Sequence, residues 1–178
     1  MSINIISMKK IFLVTVFCFF ISLTLFGQID QKNDDFPSFE KFYSSVMSTV
    51  RYPQILQDNC ASTLTLIKII FDKNGEVESL SLSDSAHPKF VEYMQEIKNK
   101  LDFKSIYIDL KNKGFSSKPV LIPFCIDFEK IGECRSRISS SDLLNLYLFS
   151  GKQFSGEYFL YPNIYFRYVV GKPHKESF

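Results

Sequence analysis

Histidine is scarce and tryptophan is missing: the 178 residues hold two of the first and none of the second. Histidine is the side chain most often used for general acid–base catalysis, and neither His87 nor His174 has an acid or base nearby in a recognisable pattern. His87 stands before a helix-starting proline, and His174 lies close to the C-terminus. Also missing are the Gly-x-Ser-x-Gly elbow, the phosphate loop, the dinucleotide fingerprint and His-Glu-x-x-His, which excludes the chemistry each one carries. Ser155, in Gln153-Phe154-Ser155-Gly156, lacks the first glycine of an elbow and its strand-to-helix setting. Asp102 with Glu96, and Glu129 with Glu133, are carboxylates of the type a glycosidase uses, but unpaired acids of this kind are ordinarily solvated surface. The chain is therefore read as non-enzymatic, with no catalytic residue and no cofactor.

An excess of one charge is lacking too. Lysine and arginine number 21 against 19 acids. Two of those lysines, Lys9 and Lys10, belong to an N-terminal segment read below as removable, which leaves the remainder neutral. Nucleic-acid binding rests on neutralising phosphates, so no nucleic-acid partner is expected. The small clusters Arg135/Arg137 and Lys172/His174/Lys175 are read as surface. Weak colloidal repulsion at low net charge favours a protein that meets a partner or a wall surface. Of four cysteines, none is spaced C-x-x-C, which argues against a zinc ribbon or a thioredoxin-type site. His87 with Cys60, Cys125 and Cys134 is not taken as a metal set. No internal repeat is visible.

What is present begins with export. Lys9 and Lys10 precede an apolar run over 11–26, followed by Gly27 and the polar stretch Gln28-Ile29-Asp30-Gln31. Basic residues, a greasy core and a small residue make a secretory signal, with residues 1–27 removed and a periplasmic or secreted product. The run also approaches the roughly 17-residue lower limit for a membrane span, so an uncleaved inner-membrane anchor is the alternative. Lipidation at Cys18 is disfavoured by Phe17, where a lipobox needs a small residue.

After a short polar arm, 28–35, Phe39, Phe42, Tyr43, Val46 and Val50 form an amphipathic helical stripe. It stops near Tyr52-Pro53, because the residue before proline leaves the helical region. Residues 63–71 are dense in Leu, Ile and Thr and read as a strand buried on both faces. Asp72-Lys73-Asn74-Gly75 then signals a hairpin, and 77–83 is the returning strand, with a bulge implied by the spacing of Val77 and Leu80. Pro88 opens a second helix carrying Phe90, Met94, Ile97 and Leu101. A loop containing Lys111-Asn112-Lys113-Gly114 leads to a third strand, 119–128, in which Val120, Ile122, Phe124, Ile126 and Phe128 alternate. Pro123 cannot donate to a ladder, so one side of that strand should be free there. Helix, hairpin, helix, strand makes an α+β two-layer sandwich: a three-stranded antiparallel sheet with two helices on one face. The extension, 130–178, offers helix caps at Ser139-Ser140-Ser141-Asp142 and either a hairpin or two short strands over 158–170.

Phe36-Pro37, Tyr52-Pro53, Asp72-Lys73-Asn74-Gly75-Glu76-Val77, Lys118-Pro119-Val120 and Ile122-Pro123-Phe124 follow one another as they do in the Bacteroidetes-type C-terminal domain of the energy-transducing protein TonB. Over 36–129 the chain resembles that family. It departs at Cys60-Ala61-Ser62, where the family carries glycine, and at Phe103, where it carries Trp-x-Pro. It also lacks the family's long linker, since eight residues span little at ~3.3–3.6 Å each. The resemblance implies a binding module; the alternatives are a membrane-anchored TonB-family component of outer-membrane transport, which requires the uncleaved N-terminus, and a secreted enzyme of unrecognised type. The module's partner would be an envelope protein or an outer-membrane receptor peptide, taken up as an added strand. The implied open edge is the third strand, with Leu121, Pro123, Cys125 and Asp127 as contacts. The other reading of these residues is that they pack under the extension. If the first strand lies between the other two, Cys60 and Cys134 become neighbours, and a disulfide between them is expected, contributing roughly 4 kcal/mol.

Overall fold

The computed structural model describes residues 35–171; the segments read as signal and arm, and His174, lie outside them. The described part is an α+β fold in which helices cover one face of a mixed sheet. Helix α1 (Phe39–Thr49) buries Phe42 and Val46 from its apolar stripe. Pro53 ends that register and caps a short second helix, α2 (Gln54–Asp58).

Strands β1 (Thr63–Phe71) and β2 (Val77–Leu82) form the hairpin, and register slips between Ile70 and Phe71, which pair with Ser79 and Val77. The turn is built by Asp72, whose carboxylate accepts from Asn74 N at 2.9 Å and Glu76 N at 2.8 Å. Those bonds hold its carboxyl below the usual acid range. Gly75 has φ +83°, and a Cβ there would lie 2.3 Å from the Tyr107 ring. Glycine is needed for both reasons.

Helix α3 (Pro88–Ile97) has His87 as its cap, with the ring accepting from Lys89 N at 3.1 Å. Beyond a 3₁₀ turn at Lys98–Lys100 comes a helix not assigned above, α4 (Phe103–Asn112). Asp102 is its N-cap and accepts from Ser105 N at 3.2 Å, so this acid caps a helix. Phe103, Ile106, Tyr107 and Leu110 form the buried stripe, and Phe103 meets Phe42 of α1 with ring centroids 5.6 Å apart.

Strand β3 (Val120–Lys130) lies beside β1, which therefore sits between β2 and β3. Ile67, Ile69, Ile122, Phe124, Ile126 and Phe128 face the helices and are almost fully buried. Tyr52 joins this core at 2% exposure. Its hydroxyl donates to Ala61 O at 2.8 Å and lies 3.0 Å from Thr63 Oγ1. Burial pushes that hydroxyl up from 10.0 to about 12. A raised folded-state pKa stabilises fully below the unfolded value and is lost as pH climbs through the folded one. Urea midpoints are thus expected to fall between pH 10 and 12, with a shallower fall in Tyr52→Phe; an identical pH dependence in the variant would refute this assignment.

The extension is part of the same compact unit. It adds β4 (Cys134–Arg135), α5 (Ser140–Asn145), a hairpin of β5 (Leu148–Phe149) and β6 (Lys152–Gln153), then β7 (Phe159–Leu160) and β8 (Ile164–Val170). Ser139 and Asp142 form a reciprocal capping box on α5. Ser150 and Gly151, both at positive φ, make the hairpin turn. Their N–H groups donate to the Asp84 carboxylate at 2.9 and 2.7 Å. Phe149 and Phe154 flank the Lys68 ammonium on the sheet's second face, 4.6 and 5.4 Å from their ring centroids. Cys60 and Cys134 are joined in a disulfide, Cα–Cα 6.3 Å.

Candidate functional site

The third strand is not an edge. β1 runs antiparallel along one side of β3 from Thr63↔Ile126 to Ile69↔Val120. On the other side β7 and β8 run parallel to it, the latter from Phe124↔Ile164 to Lys130↔Val170. The main chain at Leu121, Pro123, Cys125 and Asp127 is therefore enclosed by this chain's own strands, and the expected docking edge on β3 is corrected accordingly. Local chemistry explains Pro123. The odd-numbered members of β3 turn toward β7 and β8, as Phe159 N→Pro119 O and Tyr161 N→Leu121 O show. Pro123 falls between the end of β7 and the start of β8, where no donor is called for. The added strands are firmly seated: Tyr161 and Ile164 are 1% and 0% exposed. Tyr161 donates its hydroxyl to Asp109 at 2.8 Å, and the same carboxylate accepts from Ser38 N at 3.1 Å. Burial, then Asp109, raise the Tyr161 hydroxyl above its ordinary range.

The four side chains share the sheet's second face. Leu121 is buried there and Pro123 half-buried. Cys125 and Asp127 line a cleft of 520 Å³ with Ser62, Arg135, Ser136, Arg137, Ile138 and Tyr165. Ser136 replaces a strand partner for β3: its hydroxyl accepts from Phe128 N at 2.8 Å and donates to Asp127 Oδ1 at 3.1 Å. Arg135 approaches the same carboxylate at 3.5 Å. Burial first, and then Asp127, push the Cys125 thiol up, so it stays protonated at neutral pH. A protonated thiol is a poor nucleophile, and the cleft offers donors and an aromatic wall more than reactivity.

The outer member of the sheet is β8. Val170 O accepts from Ile131 N at 2.9 Å, so its even-numbered residues turn their main chain toward β3. Successive residues alternate, which turns the N–H and C=O of Tyr165, Arg167 and Val169 outward. Among the described residues no strand pairs with that side. The side chains of all three are exposed on the second face, with Arg167 paired to Glu129. Glu133 pairs with Lys130, so both glutamates considered above as a catalytic couple are engaged by bases. These β8 residues were missed because alternation over 164–170 tells which faces a strand has, not which neighbour it lacks. Among the described residues no cluster of histidine, cysteine and acids is arranged to hold a metal, and no helix is long and apolar enough to cross a membrane. Comparison with family models, with curated proteins and with solved structures finds no match.

Proposed function

We propose that this chain is an exported, non-catalytic binding module that takes up an extended segment of an envelope protein, such as an outer-membrane receptor peptide, as an added strand on β8. The observation that carries the reading is the outward main chain of Tyr165, Arg167 and Val169 on a seven-residue outer strand. Such a strand is a template for pairing unless it is blunted by charged side chains, lysine above all, or by proline; Ile164-Tyr-Phe-Arg-Tyr-Val-Val170 has no lysine or proline, and its one charge, Arg167, is paired with Glu129. Two exposed apolar side chains on the strand itself, Tyr165 and Val169, reinforce it. The likeness to the TonB C-terminal domain supports the periplasmic setting and the mode of pairing, with the site moved outward from β3 to β8. The membrane is involved only if the N-terminal segment stays uncleaved.

Val169→Pro tests the reading, because it deletes one outward donor and leaves the ladder to β3 intact. Proteins captured from a bacterial envelope extract by the wild-type chain are expected to be retained at least about tenfold less by Val169→Pro, while Met47→Ala, on the helical face, retains them. Equal capture by all three chains, or no specific capture by any, would overturn it.

A further inference from the structure

The opposite edge of the sheet, β2, has a helix alongside it. Ser83 N donates to Leu66 O at 2.9 Å, so odd-numbered residues there turn their main chain toward β1, and Leu80 and Leu82 turn theirs outward. Two neighbours already bond to this outward side. The Gln95 amide on α3 donates to Leu80 O at 3.0 Å, and just past the strand Asp84 N donates to Leu148 O at 2.8 Å. Between them the main chain of Leu82 has no outward partner among the described residues.

A groove of 580 Å³ runs along this edge, with Leu80, Leu82 and Ala86 in its lining and Val91 and Gln95 on the α3 side. Ser81 also lines it, and its buried hydroxyl has no hydrogen-bond partner among the described residues. The charged side chains of the lining are Asp84 and Glu92, both acidic, with no base among them. Glu92 is met from outside by Lys89 at 2.7 Å on the solvated face of the helix. An apolar slot, the unpaired outward main chain of Leu82 and acids at the rim together select for an extended chain that carries positive charge.

We propose that the groove between β2 and α3 binds an extended, basic peptide segment of another protein. The segment would add a strand to β2, place alternate apolar side chains between Leu82 and Val91, and set lysine or arginine against Asp84 and Glu92. The site stands apart from β8 and does not depend on the reading given for that edge.

The full chain is titrated with fluorescein-labelled, end-capped heptapeptides alternating valine with lysine or valine with glutamate. The lysine peptide is expected to bind saturably, at least about tenfold more tightly than the glutamate peptide, more weakly as salt rises, and with amide shifts at Leu80, Leu82 and Val91. Val91→Arg fills the slot with a bulky cation and is expected to weaken binding about tenfold, whereas Met47→Ala, away from both sheet edges, has no effect. Glu92→Lys reads the charge alone and serves should Val91→Arg disturb folding, as judged by its thermal melt. Equal affinity for the two peptides, no saturable binding of the lysine peptide up to about 1 mM, or indifference to Glu92→Lys would overturn the proposal.

Discussion

Ending the chain after Gly156 is expected to abolish cooperative folding, although it leaves every element from α1 to β3 and the disulfide in place. The lost segment carries Tyr161, Ile164 and Phe166, which are 1%, 0% and 9% exposed. Burying each contributes roughly 1.5–3 kcal/mol, so together they approach the whole net stability of a domain, about 5–15 kcal/mol. Three further losses add to this. The odd-numbered main-chain groups of β3 from Cys125 onward lose their parallel partner. Asp109 loses the Tyr161 hydroxyl and keeps Ser38 N. Phe36 loses its edge-to-face neighbours at 5.8 and 4.9 Å, Phe159 and Tyr161. The expected signature is a truncated chain with no sharp urea transition and no near-ultraviolet circular dichroism. A cooperative transition with an undiminished m-value would show that 36–129 stands alone as a domain, with the later strands merely laid upon it.

Replacing Cys60 and Cys134 together by alanine is expected to cost roughly 4 kcal/mol, from the loop-closure entropy of a crosslink between residues separated by 74 positions. The bridge ties the entry of β1 to the short β4 arm that folds back on β3. Everything from β1 to β3 lies inside the closed loop, so the unfolded chain is restricted far more than the folded one. A urea titration of oxidised protein against the double variant measures the difference. Near-equality of the two midpoints would mean that the unfolded chain is already restricted without the bridge, or that the arm comes away from β3 once the bridge is gone. Cys125, the free cysteine among the described residues, serves as internal control: it should react with a thiol reagent slowly, since burial and Asp127 keep it protonated.

Much of the architecture was legible where a signal is local. The stripe of α1, the Asp72–Gly75 turn, the slip near Val77, the proline start of α3 and the caps of α5 each lie within a few residues of the structure they specify. Helix α4 was legible but overlooked: Asp102 followed three residues later by Ser105, with Phe103, Ile106, Tyr107 and Leu110 at helical spacing, carries the same kind of message. The candidate site was half legible. Cys125 and Asp127 do line a cleft, but main-chain access at β3 depends on what lies next to it. Tyr165, Arg167 and Val169 emerged only once β8 was seen to occupy that side.

By itself, then, the order of amino acids determined which segments are helical or extended, which of their faces are apolar, and that β1 lies at the heart of the sheet. Tertiary structure alone decided that the last strand runs parallel to β3 and closes its far side. The reason is physical: main-chain hydrogen bonding is the same for every residue but proline. A strand's sequence therefore records its two faces and says little about its two edges.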